Sequence, residues 1–157
     1  MIKFIIPLML SFLFLVGCES IDNASIFNDI SNMSEVKLCN LIEFDNSYVG
    51  DNSAVGNIIY NLPGNNFNEG FSLKTDKKPY EINIKYDFNS YEDLNSKDFS
   101  KKNALVMFSL VENAHVINFN INENVYTYTK SDIEKWYGSD FDKILNDIQS
   151  WKEFATS

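Results

Sequence analysis

The sequence predicts an α+β fold: a two-layer sandwich in which helices pack on one face of an antiparallel four-stranded sheet made of two hairpins. Three observations carry this expectation. Tyr80, Ile82, Ile84, Tyr86 and Phe88 alternate with Glu81, Asn83, Lys85 and Asp87, the period-two pattern of a half-buried strand. Ile117, Phe119 and Ile121 alternate with Asn118, Asn120 and Asn122, and Asn122-Glu123-Asn124 turns into the Tyr- and Thr-rich stretch Val125 to Thr129. Apolar residues recur at helical spacing in Val55, Ile58, Ile59 and Leu62, and again in Ala104, Leu105, Phe108 and Val111. A sheet with one apolar face needs a helical layer over that face.

The chain divides into residues 1–17, a signal peptide, residues 18–35, a polar spacer, and residues 36–157, a single α+β domain. Val36 to Phe44 is a short apolar run that periodicity assigns to neither strand nor helix. After Gly50, Asn52 or Ser53 caps a helix that Pro63-Gly64 stops, with Asp51 also offering a side-chain oxygen to the first N–H groups. Phe71, Leu73 and Thr75 form a strand, and Asp76 to Pro79 turns the chain into the strand from Tyr80. A charged loop, Asn89 to Ser100, precedes a helix from Lys101 to Asn113 whose apolar face Val106, Met107 and Leu110 widen. Ser131-Asp132-Ile133-Glu134 has the spacing of a capping box, and Gly138 suits the end of that short helix. Asp140 opens a last helix with Phe141, Ile144, Leu145, Ile148 and Trp151 on one stripe. The order suggests a helix-plus-hairpin unit used twice, without a residue-level repeat.

The first segment carries an address. Lys3 gives it a positive start, and Phe4 to Val16 is apolar but shorter than the about 20 residues that span a bilayer. Leu15-Val16-Gly17-Cys18 then resembles the lipobox of bacterial lipoproteins. The resemblance implies cleavage between Gly17 and Cys18, lipid on the Cys18 sulfur, and a domain held on the outer face of the membrane. Two acyl chains anchor stably because each buried methylene contributes about 0.8 kcal/mol.

Composition narrows the function. Twenty-two acidic residues face 13 lysines and no arginine, a formal net charge of −9, and losing Lys3 with the signal adds to the deficit. Such a chain is repelled by nucleic acid. It also lacks the bidentate fork that grips carboxylates and phosphates. With Cys18 committed to lipid, Cys39 has no intrachain partner and reads as a small buried apolar residue. His115 is the only histidine, and its place at a strand entrance suits a structural or surface role. Asp45, Ser47, Val49 and Gly50 faintly follow a calcium loop, but Gly56 stands where the closing Glu is required. Asp132, Glu134, Asp140 and Asp142 cluster at two helix starts, where acids ordinarily complement the macrodipole. No catalytic residue, metal site or cofactor is expected, and the chain is not expected to be an enzyme. Tyr126, Tyr128, Trp136 and Tyr137, with Asn118, Asn120 and Asn122 on the neighbouring strand, form the candidate binding surface for an envelope protein, a peptide or a glycan.

A longer resemblance covers most of the domain. Tyr48-Val49-Gly50-Asp51-Asn52-Ser53-Ala54-Val55-Gly56-Asn57 leads into Asn61-Leu62-Pro63, followed by Thr75, Lys78-Pro79-Tyr80, Asn103-Ala104-Leu105 and Glu112-Asn113-Ala114. This pattern is similar to the DUF4825 family, a module of secreted lipoproteins and of the outer side of membrane proteins. The resemblance implies an autonomous extracytoplasmic domain and no particular activity. The expected function is a non-enzymatic binding or sensing module. The alternatives are an accessory envelope lipoprotein contacting a protein partner, or a hydrolase using unrecognised carboxylates. Replacing Cys18 by Ala should release the chain from membranes without unfolding the domain, measured as the fraction that still pellets after a carbonate wash.

Overall fold

The computed structural model describes residues 38–89, 95–138 and 141. The signal, Cys18, the spacer, the side chain of Cys39 and all of the expected last helix except Phe141 lie outside the described residues. Among the described residues ten elements follow in order. The ambiguous apolar run is a short helix α1 (Leu38–Leu41) continued by a 3₁₀ turn at Ile42–Phe44. Helix α2 (Asn52–Asn61) leads through a second 3₁₀ turn, Asn65–Phe67, into strands β1 (Asn68–Lys74) and β2 (Glu81–Tyr86). Helix α3 (Ser96–Leu110), strands β3 (Val116–Ile121) and β4 (Asn124–Thr129), and helix α4 (Lys130–Tyr137) complete the fold.

The α+β class and both hairpins are as the sequence predicts, but the sheet is mixed. Its order is β1-β2-β3-β4. The outer pairs are antiparallel. The central pair, β2 with β3, is parallel, Glu81 lying opposite Val116 and Tyr86 opposite Ile121. The cause is the helix between them. Fifteen residues of α3 rise about 22 Å, and six residues of β2 span about 20 Å. The helix therefore returns the chain to the end of the sheet where β2 began. A helical crossover of this kind is what joins parallel neighbours.

Register defines two faces. Phe71, Ile84, Phe119 and Tyr126 form one row across the sheet, and Leu73, Ile82, Ile117 and Tyr128 the next. These rows face the helices, and Ile82, Ile84, Ile117 and Phe119 are wholly buried. The other face carries Ser72, Asn83, Asn118 and Thr127 in one row. Thr127 Oγ1 donates to Asn118 Oδ1 at 2.7 Å, and Asn118 Nδ2 donates to Asn83 Oδ1 at 2.9 Å. Asn118 and Asn120 thus lie on the face opposite Tyr126 and Tyr128, so the polar-aromatic surface expected from the sequence does not form. The two-residue period of a strand separates them.

Helix α3 is the centre of the core, buried on several sides from Phe99 to Leu110. Its start lies five residues before the expected Lys101, because Asn95 caps it by accepting from Asp98 N at 3.1 Å. Asp51, rather than Asn52 or Ser53, caps α2, accepting from Ala54 N at 2.9 Å. Gly64 takes φ +79°, and the space beside its Cα is closed by Phe99 and Phe88. The aromatic knot behind it stacks Tyr86 on Phe88 at 5.5 Å and sets Phe99 edge-on to both.

Two substitutions test this packing by thermal and urea unfolding. Ile84→Asp puts an unpaired charge in the wholly buried centre of β2 and should cost several kcal/mol, a large part of the roughly 5–15 kcal/mol that holds a domain together. Gly64→Ala combines a left-handed backbone with a Cβ 2.8 Å from the Phe99 ring, and should cost about 1–3 kcal/mol.

Candidate functional site

Parallel pairing brings three chain segments to one end of the sheet. The residues before β2, the residues before β3 and the start of α4 meet there, because Glu81, Val116 and Thr129 share a register row. Backbone bonds tie them in sequence: His115 N donates to Tyr80 O at 3.1 Å, and Lys130 N donates to His115 O at 3.4 Å. Between them opens a cleft of about 450 Å³ lined by Lys78, Glu112, Asn113, Ala114, His115, Thr129, Lys130 and Ser131. That volume lies within the range of small-ligand sites.

The walls differ in charge. Lys78 stands on one side, with its ammonium 6.0 Å from the centre of the Tyr80 ring. Lys130 stands on the other, 5.8 Å from the Phe141 ring. Aromatic faces of this kind attract a cation. Among the described residues neither ammonium pairs with a carboxylate, unlike Lys74, Lys85, Lys102 and Lys135. His115 lies between them. Its Nδ1 accepts from Tyr80 N at 3.3 Å, and its ring meets Tyr80 edge to face at 5.5 Å. With Nδ1 accepting, Nε2 is the ring nitrogen left to donate. Glu112 supplies the one carboxylate of the lining. As hydrogen-bond acceptor and as charge, it raises the nearby Tyr48 phenol above its ordinary value.

A loop braces the Glu112 wall. Ser47 N donates to Leu110 O and Glu112 N to Ser47 O, both at 2.9 Å. Asn113 Oδ1 accepts from Val49 N at 2.7 Å. Residues 47–49 and 111–113, far apart in sequence, are in this way locked together.

On the other side, Thr129 ends β4 and begins α4. Its extended backbone, φ −110° and ψ 158°, suits a helix cap. Thr129 N donates to Asp132 Oδ2 at 3.0 Å, and Asp132 N donates to Thr129 Oγ1 at 3.3 Å. This reciprocal box sits two residues earlier than Ser131 and Glu134, where the sequence pattern places it. It occupies helix donors that would otherwise face an anion.

The aromatic candidates separate by depth. Tyr128 is 5 % exposed and belongs to the core. Its hydroxyl donates to Lys97 O at 3.0 Å and bonds Ser100 Oγ at 2.8 Å. Burial raises its phenol above the ordinary value. Tyr126 and Tyr137 are half-buried against the core, and Trp136 is exposed. Trp136 rests edge-on to Tyr128 at 5.8 Å and carries the Lys101 ammonium 4.7 Å from its ring centre. The same ammonium lies 5.3 Å from the Tyr137 ring. Trp136, Tyr137 and Lys101 therefore make one small surface cluster, which Tyr128 supports from beneath.

Among the described residues no His, Cys, Asp and Glu form a group able to hold a metal ion, and no helix is long and apolar enough to cross a membrane. Sequence reasoning passed over Lys78, Lys130 and Ser131 as cleft residues and treated His115 as isolated. The one signal that could have joined them is the strand–helix–strand order of β2, α3 and β3.

A family model described as a domain of unknown function, DUF4825, matches residues 41–131. The chain belongs to the DUF4825 family. The matched span runs from Leu41 through all four strands to the first turn of α4, and it contains every residue that lines the cleft. Comparison with curated proteins and with solved structures found no match.

The cap beside the cleft is open to direct test. Hydrogen bonds from the Thr129 hydroxyl and then from its N–H hold Asp132 below the ordinary carboxylate value of 3.8. A lowered folded value contributes stability above the unfolded one and loses it as pH falls through the folded one. Thr129→Ala should cost about 0.5–2 kcal/mol near neutral pH. Asp132→Asn should also destabilise there, and its deficit against the wild type should shrink on acidification below 3.8. Paired denaturation curves at neutral and acid pH measure both effects.

Proposed function

We propose that this DUF4825 chain is an extracytoplasmic lipoprotein, tethered to the outer membrane face through lipid on Cys18, whose domain binds a ligand and turns over no substrate. The observation that carries the reading is the cleft at the sheet end, where Lys78 and Lys130 stand on either side of His115 without a carboxylate partner among the described residues. Both lysines line one concavity in a chain of net charge −9. They favour recognition of an anionic group. The arrangement of His115 supports binding over catalysis. Its basic nitrogen already accepts the Tyr80 N–H, which leaves a donor rather than a proton acceptor.

A second reading, docking to an envelope protein, is favoured by one feature. Trp136 is 47 % exposed and braced by Tyr128, the geometry of an aromatic anchor.

The test uses the full lipoprotein in its own membranes. Photo-crosslinking from the cleft rim should yield a specific adduct that Lys78→Gln with Lys130→Gln reduces at least tenfold. Trp136→Ala should leave that adduct unchanged. Loss with Trp136→Ala alone would move the function to the docking reading. Hydrolysis of peptide or glycan substrates that disappears with a single Asp or Glu substitution would overturn the binding reading in favour of a hydrolase.

A further inference from the structure

We propose that the cleft recognises the carboxylate of an amino acid or the C-terminal carboxylate of a short peptide, with Lys78 and Lys130 as its cations and His115 Nε2–H as a donor between them. This rests on the cleft being the binding site and adds the chemical class of the ligand.

Register supplies the geometry. Lys78 precedes β2, His115 precedes β3 and Lys130 follows β4, and these are three adjacent strands. The outer two strands of the trio lie two strand spacings apart, about 10 Å. Long lysine stems rooted on the two sides can converge on one carboxylate set over His115. The backbone bonds from His115 to Tyr80 O and from Lys130 to His115 O keep the three segments in line. The Tyr80 N–H fixes the imidazole with Nε2 as its donor. Ser131 adds a hydroxyl to the lining.

The donor set selects the anion. Phosphate sites commonly combine a guanidinium fork or bare helix N–H groups with any lysine point charge. This chain has no arginine, and the Thr129–Asp132 box has already engaged donors at the start of α4. What remains is two point charges, one imidazole N–H and one hydroxyl, a set suited to two carboxylate oxygens. Glu112 on the rim works against a dianion through like-charge repulsion. It also offers an acceptor to the ammonium or amide N–H that stands beside the carboxylate of an amino acid or peptide. The cleft, at about 450 Å³, accommodates more than a lone ion.

The test is calorimetric titration of the full chain in detergent with N-acetyl-alanyl-alanine, its C-terminal amide, free alanine and inorganic phosphate. One or both carboxylate probes should bind. Amidation should weaken binding at least tenfold, and phosphate should bind more weakly than the peptide acid. Lys78→Gln and Lys130→Gln should each weaken the acid about tenfold, while Lys97→Gln, on the exposed face of α3, should leave it unchanged. Unaltered melting temperatures would show that the variants are folded. Equal binding of acid and amide, tighter binding of phosphate, or indifference to both cleft lysines would overturn the carboxylate assignment. If no probe binds but the membrane adduct still depends on Lys78 and Lys130, the ligand class is wrong and the cleft stands. If the adduct ignores both substitutions, the cleft itself is not the binding site.

Discussion

Parallel pairing of β2 with β3 is the constraint on which the rest of the structure depends. It requires a crossover long enough to cross the sheet, and α3 provides it with 15 residues. A helix used in this way lies directly on the strands it connects. That is why residues Phe99 to Leu110 are mostly buried while the shorter α2 and α4 keep an exposed side. Had β2 and β3 run antiparallel, Lys78 and His115 would stand at opposite ends of the sheet. The parallel ladder puts Tyr80 and His115 side by side, and the antiparallel β4 then delivers Lys130 to the same end.

Polar groups hold the crossover in place. Ser100 on α3 meets the Tyr128 hydroxyl on β4, and that hydroxyl also reaches Lys97 O, so helix and edge strand share one buried network. Asn103, fully buried, donates to Pro63 O at 3.4 Å and joins α3 to the end of α2. Two atoms in this region, the Tyr86 hydroxyl and Asn103 Oδ1, are buried without a hydrogen-bond partner among the described residues. Each such group costs about 1–3 kcal/mol. Burial pushes the Tyr86 phenol far above its ordinary value. The stacked and edge-on contacts among Tyr86, Phe88, Phe99 and Phe119 offset that cost.

Charge is distributed by position as well as by count. Acidic residues dominate the chain, yet the lysines of the open sheet face are neutralised locally, Lys74 by Glu81 and Lys85 by Glu69. Surface pairs of this type add little stability. Their effect is to leave that face electrically quiet and its centre a row of Ser, Asn and Thr. Among the described residues Lys77, Lys78, Lys97, Lys101 and Lys130 have no such carboxylate pair; of these, Lys78 and Lys130 line the cleft and Lys101 lies over the Trp136 ring.

The α+β class, the four strands and the main helical stripes were legible in the sequence because each rests on local periodicity. Ile82, Ile84 and Tyr86 alternate inward whatever strand lies next to them, and Val55, Ile58 and Ile59 share a helix face whatever covers it. Of the candidates offered at the start of α2 the structure uses Asp51, the cap of α4 falls two residues early at Thr129, and α3 begins five residues early behind Asn95, since neighbouring residues of nearly equal capping strength compete. The aromatic surface was half legible: spacing showed that Tyr126 and Tyr128 share a face, but only packing decided that this face is turned toward α3. The candidate cleft was not legible at all. Lys78, His115 and Lys130 are brought together by strand direction and register, which are set by where a 15-residue helix sets the chain down. No local pattern encodes that. The sequence by itself determined which segments are strands and helices and which sides of them are apolar, because those follow from backbone geometry and hydrophobicity within a few residues. Only the tertiary structure decided which ends meet, because the pairing of distant strands depends on the whole path of the chain between them.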